Sequence, residues 1–266
     1  MRPRAAVFCL HDVVPAAQLD AVPASHRPYV LTPEELRTLL LAAAETGRRA
    51  IPVSGVPGEL GGAFYSLSFD DGAASDYAEV FPVLRELGLR ATFFVVPTLV
   101  ETPGHVTWPQ LREMVAAGME IGSHSLTHPF LDRLDRAGVV REYRDSKAVL
   151  EDRLGIAVRT ASLPRGWASP VVRPVLEELG YRVFCTSKVG WWYPGSDPLD
   201  IPRVGVRRGM TAEEFAAIVQ GARRALWPLQ AVDLVKAAAK TCLGADAWQR
   251  VRAPLLAHRH RAGGGA

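Results

Sequence analysis

The chain has 266 residues, of which 48% are hydrophobic and 22% charged, and a net charge of only +3. This is the composition of a globular protein with a real core, large enough for one big domain or two small ones. Cys9, Cys185 and Cys242 are far apart and form no CxxC pair, so they suggest neither a thiolate zinc site nor a disulfide framework and fit small buried hydrophobes in a reducing compartment.

The first apolar run, residues 5–10, follows Met1-Arg2-Pro3-Arg4 and is too short for a secretory signal. No run approaches the length of a membrane span. The expected location is therefore the cytoplasm. Residues 5–10 read as a strand. Thr32-Pro33-Glu34-Glu35 opens a helix, with Thr as cap, Pro in the first turn and acids at the positive end, and Gly47 closes it. A strand is expected at 64–69, a helix from 75 to 87 ending at Gly88, and a strand at 91–96. A helix capped by Thr107 then runs to Ala117, closed by Gly118. A short strand follows at 119–122, a helix at 141–154 ending at Gly155, and a strand at 158–163. The run closes with a helix at 169–179, a strand at 181–186, a strand at 201–206 and a helix at 211–224. This last helix carries the Thr211/Glu214 capping-box pattern.

The βα rhythm calls for a parallel sheet covered by helices. Six or seven such units in about 225 residues fit a distorted (β/α) barrel better than an open sheet, with functional groups at the C-terminal strand ends. The expected division is a catalytic barrel over 1–225 and a basic helical extension over 226–266 with a disordered end. From Gly221 onward eight Lys/Arg face two acids. That reads as a solvated helical face, or as a peripheral contact with an anionic membrane at its inner side.

Three segments sit where strands end. Ser68-Phe69-Asp70-Asp71-Gly72 places adjacent carboxylates whose side chains point in different directions, so one can bind a metal while the other faces a water. Alone, Asp70-Asp71-Gly72 also reads as a turn and cap. His124-Ser125-Leu126-Thr127-His128 presents two imidazoles four residues apart. With one carboxylate they leave open positions on zinc or a similar cation.

These segments resemble the polysaccharide deacetylase family, carbohydrate esterase family four. Its Thr-Phe-Asp-Asp-Gly motif occurs here as Ser68 to Gly72, and its His-Ser-x-Thr-His motif is intact from His124 to His128. The resemblance spans about residues 5–220 and includes Ala91-Thr92-Phe93-Phe94-Val95. It implies a distorted barrel, Asp70 as catalytic base, and Asp71, His124 and His128 as metal ligands. The family's Arg-x-Pro-aromatic-Gly motif departs to Ser162-Leu163-Pro164-Arg165-Gly166. Its arginine, which pairs with the catalytic aspartate, is missing. Arg165 offers a charge from another position, and Pro164, Arg165 and Gly166 are expected at the substrate or as a plain turn.

No C-terminal strand-end histidine matches the family's general acid, and His258 and His260 lie in the basic tail. Some relatives resembling poly-N-acetylglucosamine deacetylases carry this histidine first, in circularly permuted order. First and last strands of a closed barrel are neighbours, so His11, after the first strand, is expected as the acid. Trp191 and Trp192 are expected either to stack on sugar or to cover a core edge.

The function so implied is removal of an N-acetyl group from an N-acetylhexosamine-containing saccharide or glycoconjugate by a divalent metal, zinc first, with cobalt, nickel or iron as alternatives. No nucleic-acid partner is expected. The rivals are a carbohydrate-binding pseudoenzyme, motivated by the missing arginine and the relocated acid, and an O-acetyl esterase.

Overall fold

The computed structural model describes residues 4–59, 61, 63–166 and 169–235. Its strands are β1 (Val7–Leu10), β2 (Arg49–Ala50), β3 (Phe64–Asp71), β4 (Thr92–Val95), β5 (Glu120–Ser123), β6 (Thr160–Ser162), β7 (Val183–Cys185) and β8 (Val204–Gly205). They form one parallel sheet in the order β7-β6-β5-β4-β3-β1-β8, with β2 also paired to β3. The two edges meet through one segment. Ile201 bridges Cys185 of β7, and three residues on Val204 and Gly205 pair with Phe8 and Cys9 of β1. The expected distorted barrel is thus formed, with β1 beside the last strand.

Strand alternation sorts the core into two layers. Phe8, Leu10, Tyr65, Leu67, Phe69 and Phe93 pack outward under the helices. Val7, Phe64, Phe94, Cys185 and Ile201 form the second, inner cluster. Further along the same inner face of β3 come Ser66, Ser68 and Asp70, all buried. Gly122 of β5 is needed at the inner face: a Cβ there would lie 2.7 Å from the ring of Phe94, its register partner on β4.

The helices are α1 (Pro33–Glu45), α2 (Phe81–Glu86), α3 (Trp108–Ala116), α4 (Arg136–Leu154), α5 (Val172–Glu178) and α6 (Ala212–Val219). Thr32, Thr107 and Thr211 cap α1, α3 and α6 with full capping boxes. Two expectations shift. The 75–87 helix divides into a π-helical stretch, Asp76–Val80, and α2. The helix expected from 141 starts at Arg136, where Asp135 caps it by accepting from the Gly138 amide. After α6 the chain turns into helical residues 227–235. The rest of the basic extension, with Cys242, His258 and His260, lies outside the described residues. No helix among the described residues is long and apolar enough to cross a membrane.

Candidate active site

The C-terminal ends of β1, β3 and β5 converge on one cavity lined by His11, Asp70, Asp71, His124 and His128. Asp71 ends β3 with φ +82°. This is a costly conformation for a non-glycine residue, and it turns the carboxylate away from Asp70 toward the rim. His124 Nε2 lies 3.5 Å and His128 Nε2 3.4 Å from Asp71 Oδ1. The three donor atoms lie within 4.8 Å of one another.

These spacings fit a metal. Donors about 2.1 Å from a tetrahedral ion stand roughly 3.4 Å apart. His128 is also prepared as a ligand, which must be neutral. Burial pushes the His128 pKa down to about 4, reinforced by His124. The Nδ1 of His124 meets Ser162 Oγ at 2.5 Å, which points Nε2 at the cluster. Ser162, standing where the family motif has arginine, thus orients a metal-facing histidine.

The loop carrying the histidines has positive φ at Ser125 and His128. Glu142 of α4 holds it. Its carboxylate accepts from the Leu126 and Thr127 amides, both at 2.9 Å, and from Thr127 Oγ1 at 2.8 Å. Sequence reasoning had not singled out Glu142. Its only signal is an acid on a helix following the histidine loop.

Asp70 is buried inside the barrel mouth and gripped by Arg203. Nη1 donates to Oδ1 at 2.7 Å and Nη2 to Oδ2 at 2.8 Å. Arg203 is itself buried, and it also donates to Ser68 Oγ and the Thr186 carbonyl, both at 3.2 Å. Burial alone would raise the Asp70 pKa, but Arg203 and then His124 hold it well below the usual carboxylate range. Arg203 therefore replaces the missing family arginine. Arg165, expected as one source of that charge, does not supply it. Its Nε donates to the His128 carbonyl at 2.9 Å and its guanidinium lies 4.6 Å from the Phe130 ring centre. The signal for Arg203 was present: Ile201, Arg203 and Gly205 alternate with the outward Val204 and Val206.

His11 follows β1, as expected, and stands against Tyr29 with ring centres 5.6 Å apart. Its Nδ1 is buried without a partner. Burial lowers its pKa, against the pull of Asp70 and Asp71. Cys9 joins this side of the site, its Sγ 3.6 Å from Asp70 Oδ2. Burial pushes the Cys9 thiol well up, so it meets Asp70 as a neutral donor. Sequence reasoning had treated Cys9 only as a small hydrophobe.

Of the expected substrate residues, Arg165 and Gly166 line the cavity, whereas Pro164 is buried beside it and Trp191 and Trp192 do not reach it. Trp192 plugs the inner core beside Phe64, ring centres 6.4 Å apart, and its backbone pairs with Ala5. Trp191 packs in the outer core near Arg4. The expectation that they stack on sugar is corrected: aromatic bulk fills the barrel floor here, away from the strand ends that carry the polar groups.

Residues 58–184 match the polysaccharide deacetylase family model. A chitooligosaccharide deacetylase of Bradyrhizobium sp. (strain ANU 289) is 32% identical over 160 residues, 59% of this chain and 66% of the relative. That of Sinorhizobium fredii (strain NBRC 101917 / NGR234) is 36% identical over 104 residues, 38% of this chain and 44% of the relative. The chain thus spans less than two thirds of the length of these curated relatives. Among solved structures, IcaB from Ammonifex degensii superposes with a TM-score of 0.71 at 25% identity, over 82% of this chain and 97% of that one. The Streptococcus pyogenes deacetylase PplD, in complex with acetate, superposes with a TM-score of 0.75 at 20% identity, over 82% and 99%.

Proposed function

We propose that this chain, which carries a polysaccharide deacetylase domain, is a metal-dependent hydrolase that removes the N-acetyl group from an N-acetylhexosamine-containing saccharide or glycoconjugate. The observation that carries the reading is the convergence of Asp71, His124 and His128 around one ion-sized point, with Asp70 held ionised beside them. The names of the rhizobial relatives favour the same substrate class.

Asp71, His124 and His128 would hold the cation, and the mixed nitrogen and oxygen set suits zinc first, with cobalt, nickel or iron as alternatives. Such a cation supplies Lewis acidity toward the acetyl carbonyl and makes water more acidic. Asp70 takes a proton from the attacking water. Arg203 fixes both oxygens of that carboxylate, so it stays charged in spite of burial, at some cost in basicity. Water oxygen bonds to the carbonyl carbon, the C–N bond breaks, and His11 donates a proton to the departing nitrogen. Arg165 and Gly166 face the bound sugar. The products are acetate and a free amine.

The pseudoenzyme reading loses its two motives, because Arg203 stands in for the missing arginine and His11 lines the same cavity as Asp70. A cytoplasmic location with peripheral contact at an anionic inner membrane face is proposed from the eight Lys/Arg against two acids beyond Gly221.

The test is acetate release from N-acetylhexosamine oligomers and from matched O-acetyl esters, with chelator and with metal restored. Metal-restorable release from the amide is expected. Release from the ester alone would transfer the assignment to an esterase, and release insensitive to chelator would remove the metal from it.

A further inference from the structure

The cavity holding the metal cluster is larger than one sugar requires. Its volume is about 1560 Å³, against roughly 300–1,000 Å³ for an ordinary small-ligand site. Its polar groups gather at the strand ends, but much of its wall is apolar. Helical residues 227–235 contribute Pro228, Leu229 and Val232, and Val22, Pro23 and Val189 line the same space.

Over the described residues 227–235 the only charge is Asp233, and Gln230 is the one other polar side chain. Asp233 is committed to the barrel, where its Oδ2 accepts from the Val189 amide at 3.1 Å. Leu229 and Val232 are half-buried and open onto the cavity, while Trp227 is 61%, Leu234 72% and Val235 70% exposed. Trp227 and Leu234, two turns apart, share the helix face opposite to the one that Pro228, Leu229, Val232 and Asp233 turn to the cavity. Fixed apolar surface open to water marks a binding face, and the Leu229 and Val232 side belongs to the catalytic cavity, so its occupant is whatever that cavity receives.

We infer that the substrate is an amphiphile: an N-acetylated sugar joined to an apolar chain, with the sugar at Asp71, His124 and His128 and the chain along Leu229 and Val232. The inference rests on the deacetylase reading and narrows its substrate class.

The test compares methyl and octyl β-glycosides of N-acetylglucosamine on the metal-loaded full chain, with the octyl compound below its micellar concentration. The octyl KM is expected to be at least about tenfold lower, two buried methylenes being enough for that factor. In Leu229→Ser/Val232→Ser the ratio of the two KM values should fall toward one. Equal KM values in the unsubstituted chain would overturn the inference and leave the deacetylase reading standing. Acetate from neither glycoside would overturn that reading instead. The apolar wall is then read separately, by calorimetric binding of octyl β-glucoside, which has no acetyl group. Binding weakened about tenfold by the double substitution sustains the wall, and absence of binding overturns it. A dimer that the double substitution dissociates, with no preference for the octyl chain, would assign the helix to a second copy and overturn the inference as well.

Discussion

Asp70 and Asp71 are joined by one peptide bond, yet their surroundings are opposite. Asp70 faces the barrel interior with its side chain 5% exposed and both oxygens on a buried guanidinium, whereas the Asp71 side chain is 40% exposed and faces two imidazoles. A strand's two-residue period sends neighbours to opposite faces, and the positive φ at Asp71 aims the second one at the rim. A carboxylate that must remain a base is given a permanent positive partner. A carboxylate that must accept a cation is left facing two imidazole nitrogens. One strand end thus serves two kinds of chemistry through alternation and a turned backbone at its last residue.

The comparison breaks most directly at the two carboxylates. Asp70→Asn should lower acetate release by about a thousandfold, the scale of a lost general base, while metal content by elemental analysis stays at the level of the unsubstituted chain. Asp71→Asn should lose both metal and turnover. If Asp70→Asn also emptied the metal site, the division of labour would be wrong. His11→Ala should retain metal with a smaller loss of rate, and an unchanged rate would remove it from the mechanism.

The next effect concerns Arg203. Truncation to Met would leave Asp70 charged, buried and unpartnered, which should cost about 3–5 kcal/mol of folding stability in urea titrations. The double variant Asp70→Asn/Arg203→Met should recover much of that loss, because it removes both charges. A loss equal to the sum of the single losses would show that the two side chains act independently.

How much of this was legible in the sequence follows from the range of each interaction. Local signals read correctly: the Thr32, Thr107 and Thr211 caps act within three residues, and the strand-end placement of Asp70, Asp71, His124 and His128 needs only a short apolar run followed by polar residues. The role of Arg203 was missed because its partner is 133 residues away: alternation tells that the side chain faces inward, but not which carboxylate it meets. Trp191 and Trp192 were ambiguous for a different reason. A flat apolar ring suits a sugar face and a barrel plug equally, and only the sheet geometry decides which end of the strands it occupies. Ser162 carried the subtler lesson. Its departure from the family motif read as a loss, but the structure gives the position to a hydroxyl on His124 Nδ1 and moves the charge to Arg203, just before β8.

A smaller effect is expected at Glu142, which acts on the rim and leaves the interior pair untouched. Glu142→Gln keeps the shape but weakens the acceptor that holds the Leu126 and Thr127 amides. Metal affinity, measured by chelator competition, should fall about tenfold, as for other groups that support metal ligands. The Asp70–Arg203 pair should be unaffected, so the stability of the metal-free protein should change little. A large loss there would mean that the histidine loop and the interior are a single unit.

The smallest effect sharpens the comparison by adding a third carboxylate. Asp76 is buried like Asp70, but among the described residues it has no cation partner and its oxygens make no well-formed hydrogen bond. Burial raises its pKa well above the ordinary 3.8, and Asp12, Asp71 and Asp70 add to this, against slight relief from the Ala73 amide. The folded state therefore keeps a proton that the unfolded chain releases once the pH passes about 4. Between these two pKa values folding takes up a proton, so this group's contribution to stability is fully present at low pH and is lost as pH rises, by at most about 1.4 kcal/mol per pH unit. Asn cannot titrate. Asp76→Asn should therefore gain on the unsubstituted chain as pH rises from 5.5 to 7.5. In metal-free protein the gain should be read as a growing difference in Tm, at about 2–4 °C per kcal/mol for a chain of this size. A difference independent of pH would mean that Asp76 is ionised when folded and has found a positive partner as Asp70 has, and burial alone would then no longer separate these carboxylates.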